Sequence, residues 1–277
     1  MYLERPASPA LSPFVTCRWL HRSERASAER VVPDACMDIL WDGEELSIAG
    51  PDTAPVHVSM PANRQIVAVR FAPGTGSAIL GVPASALCDA HVPLVEVWGD
   101  AARQLEETMH EADSVHVMWT ALEDAVAERH VPARALDPLM LALVQTLQPT
   151  AASTLPSVSQ LARSAGVSER QLLRRARSAF GYGPKLLGRI LRFQAFRAAL
   201  REQPQASLAQ LALELGYADQ AHLTHDVTEL AGVPPSQLKR EARTAGLPAS
   251  DFDKTDPTGR TQTLPHENHP NRTTHPR

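Results

Sequence analysis

VSQLARSAGVSERQLLRRARSAFGYGPK (158–185) and LAQLALELGYADQAHLTHDVTELAGVPPSQL (208–238) are two copies of one pattern. Leu161-Ala162 and Gly166 recur as Leu211-Ala212 and Gly216 at an offset of 50, and Leu172, Gly181 and Pro184 recur as Leu223, Gly232 and Pro235 at an offset of 51. The added residue falls just after the first glycine of the second copy, where a turn absorbs it. Each copy reads as helix, glycine turn, helix. Ser157 or Ser159, Ser168, Ser207 and Asp219 are the N-caps, because a short side-chain oxygen there satisfies an orphan backbone N–H. Gly166, Gly181, Gly216 and Gly232 shape the turns. Pro184 opens a connecting helix, KLLGRILRFQAFRAALRE (185–202). It spans ~27 Å at 1.5 Å per residue, a spacer that sets two helices roughly one DNA turn, ~34 Å, apart. Ile190, Phe193, Phe196 and Leu200 should tie this helix to both units.

The 277 residues carry a net charge of −4, but the charge is unevenly spread. Residues 1–156 hold 10 basic and 20 acidic groups, and residues 157–243 hold 13 and 7. A basic module joined to an acidic one points to a polyanion partner for the first alone. Within the basic module the first copy dominates: residues 157–201 hold 10 basic groups and 1 acidic, residues 202–243 hold 3 and 6.

Upstream, FVTCRWLH (14–21), CMDILW (36–41), ELSIAG (45–50), VHVSM (56–60) and QIVAVRF (65–71) read as short strands, with Asp42-Gly43 as a turn signal between two of them. Helical patterns follow over 75–91 (broken at Pro83), 99–112, 114–130 and 137–148, the last opened by Asp137 and Pro138. The expected fold class is therefore α+β: a strand-rich, small barrel-like N-terminal domain with appended helices, then an all-α double helix-turn-helix domain. The expected divisions are a regulatory, effector-sensing domain at 1–148, a linker at 149–157, a DNA-binding domain at 158–243 and a disordered, Pro- and His-rich tail at 244–277. No apolar run is long enough to span a membrane and no signal peptide is visible. Cys17, Cys36 and Cys88 form neither a CxxC pair nor an even set, so a reducing cytoplasm is the natural compartment. No cofactor or metal motif is present; His21 and His57 lie in strand-like runs without a partner ligand pattern.

The paired copies resemble the two helix-turn-helix units of the AraC/XylS family of bacterial transcription regulators, the first closing in GYGP and the second in GVPP. The likeness covers 157–240. VPDACMDILWDG (32–43), VRFAPGTG (69–76) and LGVPASAL (80–87) resemble an uncharacterised regulatory domain that often precedes such units. The resemblance implies a cytoplasmic activator or repressor that binds promoter DNA. Its implied partners are RNA polymerase, a small-molecule effector and a second copy of the chain.

On the helix 168–180, Leu172, Ala176, Ala179 and Phe180 form the packing face, and Arg170, Arg174 and Arg177 lie within ~60° of each other on the opposite one. Such a row suits guanine edges and phosphates in a major groove, with Leu173 beside it for a thymine methyl. Ser168 and Arg175 complete the first unit's expected DNA contacts. In the second unit Ala221, His225 and Thr228 replace the three arginines. Family members usually carry a base at the His225 position, so this unit is expected to read bases lightly, through Gln220, Thr224 and His225. An enzyme alternative uses the helix-turn-helix domain as a tether and places alkyl-acceptor or other chemistry at Cys36, although no basic neighbour is visible to activate that thiol.

Overall fold

A computed structural model describes residues 1–129, 136–150 and 155–244. Part of the expected linker (151–154) and the expected tail from 245 onward lie outside these. The described elements are β1 (Tyr2–Pro6), β2 (Val15–Arg22), β3 (Ser27–Val31), β4 (Asp38–Trp41), β5 (Leu46–Ala49), β6 (Val56–Met60), β7 (Gln65–Phe71) and β8 (His91–Pro93). Among the helices are α1 (Gly76–Leu80), a single 3-10 turn (Ala84–Ala86), α2 (Val95–Trp98), α3 (Asp100–Glu111), α4 (Val115–Glu128) and α5 (Pro138–Leu147). Then come α6 (Val158–Ser164), α7 (Glu169–Phe180), α8 (Pro184–Glu202), α9 (Leu208–Glu214), α10 (Gln220–Ala231) and α11 (Pro235–Thr244).

Six strands form an antiparallel sheet in the order β1-β2-β7-β4-β5-β8, and β3 pairs only with β6 as a separate ribbon. Strand alternation gives the sheet two unlike faces. Leu20, Ile39, Trp41, Leu46, Ile48, Val67, Val69 and Phe71 point to a large core shared with α1 to α4. The opposite face carries only Cys17, Trp19 and Ala68 as buried apolar residues, with the β3–β6 ribbon lying over it. The five strands read from the sequence are all present. β1, β3 and β8 carry no clear strand signal because they are short, largely polar or at the sheet edge, where alternation is weak. At the β4–β5 turn only Gly43 takes positive φ (96°), while the Asp42 carboxylate accepts the N–H groups of Glu44 and Glu45 at 2.9 and 3.0 Å.

Helix α5 packs with the helices that follow it. Sequence order attaches it to the strand-rich part, yet Met140, Leu143, Val144 and Leu147 are buried with Leu172, Phe180, Leu187, Phe193 and Phe196 in the core of α6 to α11. Its apolar stripe fits the groove between α7 and α8. In α8, Ile190, Phe193, Phe196 and Leu200 are all buried, so this helix is the spine on which both helix pairs rest. No helix among the described residues is long and apolar enough to cross a membrane.

Candidate nucleic-acid interface

The two helix pairs, α6–α7 and α9–α10, are fixed by their caps. Ser157 and Ser168 each form a capping box, accepting from Gln160 and Gln171 N–H while those glutamines reach back to the cap N–H. Ser207 and Asp219 accept from Gln210 and His222 N–H at 3.1 and 2.7 Å. Gly166, Gly181, Gly216 and Gly232 all take positive φ. At Gly181 (φ 86°) a side chain is doubly disfavoured, since its Cβ would stand 2.9 Å from Pro51 Cγ and 3.3 Å from Cys88.

On α7, Leu172, Ala176, Ala179 and Phe180 are buried, while Arg170, Arg174 and Arg177 are exposed together on the outer side. The strand-rich part packs against α7 through α1 and the 84–86 turn and leaves those three arginines open. Leu173 is half-buried beside Gly183. The Ser168 hydroxyl is engaged in its cap. Arg175 stands apart from its neighbours: its Nε donates to Asp137 Oδ2 at 2.6 Å and its Nη2 to Oδ1. The guanidinium is thus turned to α5, away from the outer row. Burial raises the Asp137 carboxyl, but the Arg175 bonds outweigh it and hold the group below its ordinary range.

On α10, Gln220 and His225 are exposed and Thr224 is half-buried, its hydroxyl donating to Gln220 O at 2.8 Å. His225 lies 3.8 Å from Glu229. The inner side of this helix carries Asp226, which is 3% exposed. Its oxygens accept from Arg189 Nε at 3.0 Å and Arg192 Nη2 at 2.9 Å, both from α8. Arg192 also donates to Gly216 O at 3.2 Å and covers the Tyr217 ring at 4.0 Å. Arg189 reaches Glu229 at 2.6 Å and thereby depresses that carboxyl. Arg175, Arg189 and Arg192 are therefore engaged inside the fold, and on α7 the exposed guanidinium groups are those of Arg170, Arg174 and Arg177. The anchor Asp226 was readable in the sequence: at the offset of 51 it is the repeat-mate of Arg175.

Cys36 is 7% exposed, with its N–H on Asp34 Oδ1 at 3.0 Å and its thiol directed at Asp34 O at 3.7 Å. Burial raises the Cys17 thiol to about 12, so that sulfur is a protonated core group. Among the described residues no three His, Cys, Asp or Glu side chains are placed to hold a metal ion.

A family profile described as a helix-turn-helix domain matches residues 161–241, and the domain of unknown function DUF6597 matches residues 3–93. No curated protein matches in sequence. Among solved structures, the C-terminal domain of AraT, a response regulator from Geobacillus stearothermophilus, is 20% identical, covering 38% of this chain and 86% of its own at a TM-score of 0.35. Apo ToxT from Vibrio cholerae is 10% identical over 85% of this chain and 99% of its own, with a TM-score of 0.44. ToxT with an unsaturated fatty acid bound is 10% identical over 79% and 93%, with a TM-score of 0.43. At those scores the solved structures carry no weight for function; the helix-turn-helix match and the geometry do.

Proposed function

We propose that residues 161–241, which match a helix-turn-helix family profile, are the AraC-type DNA-binding part of a sequence-specific transcription regulator whose first unit supplies most of the grip on promoter DNA. The observation that carries this reading is the open row of Arg170, Arg174 and Arg177 on α7, outside every internal ion pair that claims Arg175, Arg189 and Arg192. Three guanidinium groups on one helix face fit guanine edges and phosphates in a major groove. Gln220, Thr224 and His225 make lighter contacts from α10. The DNA-binding unit begins at α5 rather than after it, and residues 1–129 form the sensing unit through which a small molecule or dimerisation acts. A DNA target fits a cytoplasmic protein. Buried Cys36 works against the alkyl-acceptor alternative.

Salt-titrated binding of the wild type and Arg174→Ala to promoter-derived and random duplexes tests this. Preference for the promoter fragment, with Arg174→Ala costing ~1–3 kcal/mol on that fragment alone, is expected. Equal affinity for both duplexes that merely falls with salt would reduce the domain to a generic tether.

A further inference from the structure

The two faces of the N-terminal sheet are filled to different extents. The helix-covered face carries most of the buried apolar side chains, whereas the ribbon-covered face leaves a cavity of about 200 Å³ between sheet and ribbon. Trp19, Leu40 and Ile66 floor it, and Val31, Val56 and Val58 roof it. It is smaller than the roughly 300–1,000 Å³ of drug-sized sites, so it suits one ring or a short chain.

The charge around it has one sign. Among the described residues no lysine or arginine lines the cavity, while Asp38, Asp52 and Asp89 do. On the same sheet face as the floor, fully buried Arg70 lies 3.0 Å from Asp38, 3.3 Å from Glu4 and 3.8 Å from Asp34. On the ribbon's inner face buried Glu29, paired across from Val58, adds another carboxylate. His21 on the same sheet face has its pKa lowered by burial and adds no charge. His91, at the rim, is bonded to Ser47 Oγ at 2.6 Å. An anion entering this space approaches the lining carboxylates of Asp38, Asp52 and Asp89, which repel it, whereas they attract a cation.

The roof is also the footing of the second helix-turn-helix unit. Arg30, next to Val31, donates from the outer side of the ribbon to Glu241 of α11 at 2.7 Å. Pro55, next to Val56, lies against Gly232, where a Cβ would stand 3.1 Å from Pro55 Cγ. Past the strand, Val32 enters the helical core and Pro33 O accepts from Gln194 of α8 at 2.5 Å. No hydrogen-bond ladder joins the ribbon to the sheet beneath it, so the cavity can widen without breaking strand pairing.

We propose that this cavity binds a small organic cation, an apolar body bearing one ammonium group, and that its occupancy is passed through the β3–β6 ribbon to α8, α10 and α11. The proposal rests on the regulator reading and adds the ligand class and the route. Differential affinity for two ribbon positions is what couples the sites, and the coupling is reciprocal.

Calorimetry on the full chain without DNA, using phenethylamine, the neutral phenethyl alcohol and the anionic hydrocinnamate at neutral pH, tests the ligand class. The amine should bind at least about tenfold tighter than the alcohol, with the carboxylate weakest. Asp52→Asn should narrow that gap, and Val58→Trp, which fills the cavity, should abolish amine binding while DNA binding persists. Absence of amine binding, a carboxylate that binds as well, or an unaltered gap in Asp52→Asn overturns the assignment. In a DNA-binding assay phenethylamine should shift wild-type affinity about fivefold or more, and Arg30→Ala should bind the amine and lose that shift. An amine that binds wild type and leaves DNA affinity unchanged overturns the coupling. Loss of all DNA binding in the wild type sinks the regulator reading instead, and the DNA-free calorimetry tells the two failures apart.

Discussion

The two recognition helices α7 and α10 share a scaffold and differ in where their charge is spent. Both are capped by a short polar residue, both end in a left-handed glycine, and both are braced by the helix that precedes their unit. For α7 that brace is α5 and for α10 it is α8. The bracing ion pair sits at equivalent positions with its sign reversed: Arg175 of α7 takes Asp137 of α5, and Asp226 of α10 takes Arg189 and Arg192 of α8. What remains outward is three arginines on α7 and Ala221, His225 and Thr228 on α10. A duplicated fold can thus keep its internal anchor as an ion pair and still give one copy a cationic outer face and the other a nearly neutral one.

The largest expected effect breaks the comparison from the inside. Asp226→Ala strands Arg192 at 4% exposure, and chemical denaturation should show a loss of ~3–5 kcal/mol. Asp137→Ala, in a pair whose side chains are 36% and 28% exposed, should cost under ~1 kcal/mol. Equal costs would mean that the two braces are interchangeable.

On the DNA side the order reverses. His225→Ala and Gln220→Ala should each weaken promoter binding by less than ~1 kcal/mol, and Gln220→Ala should leave the salt dependence unchanged, whereas Arg170→Ala or Arg177→Ala should reduce the salt slope by about one. A His225→Ala loss as large as that of Arg174→Ala would make the second unit an equal reader.

The smallest effect is in pH. The Asp137 carboxyl is held low in the fold, so its contribution is present above the ordinary aspartate value of ~3.9 and is lost as pH falls through its depressed folded value. Acid titration of stability should therefore separate wild type from Asp137→Asn at mildly acidic pH and bring them together at the acid extreme. Curves that stay parallel throughout would show that the pair contributes nothing.

The helix-turn-helix units were legible because their signals are local. Ser168 and Gln171 are three residues apart and cap one helix end, and Gly181 and Gly232 end helices whose apolar stripes recur at the helical period. The outward arginine row follows from the same angular arithmetic. Arg175 shows the limit of that arithmetic. It belongs on the helix next to the row by angle, but its partner Asp137 is 38 residues away on a helix that sequence order attached to the other half. β1 and β8 were missed for a related reason: a short edge strand is defined by its neighbour more than by its own pattern.

By itself the sequence determined the repeat, its caps and turns, the connecting helix and the cationic face of the first unit, because hydrogen bonds and periodicity within a dozen residues specify them. Only the tertiary structure decided which charges are consumed inside, that α5 packs against α7 and α8, and that a ribbon over an under-filled sheet face is tied to α11 by Arg30 and Glu241, 211 residues apart. Those features are pairings between distant segments. Each depends on what the other segment presents at the point of contact, and no local pattern carries that information.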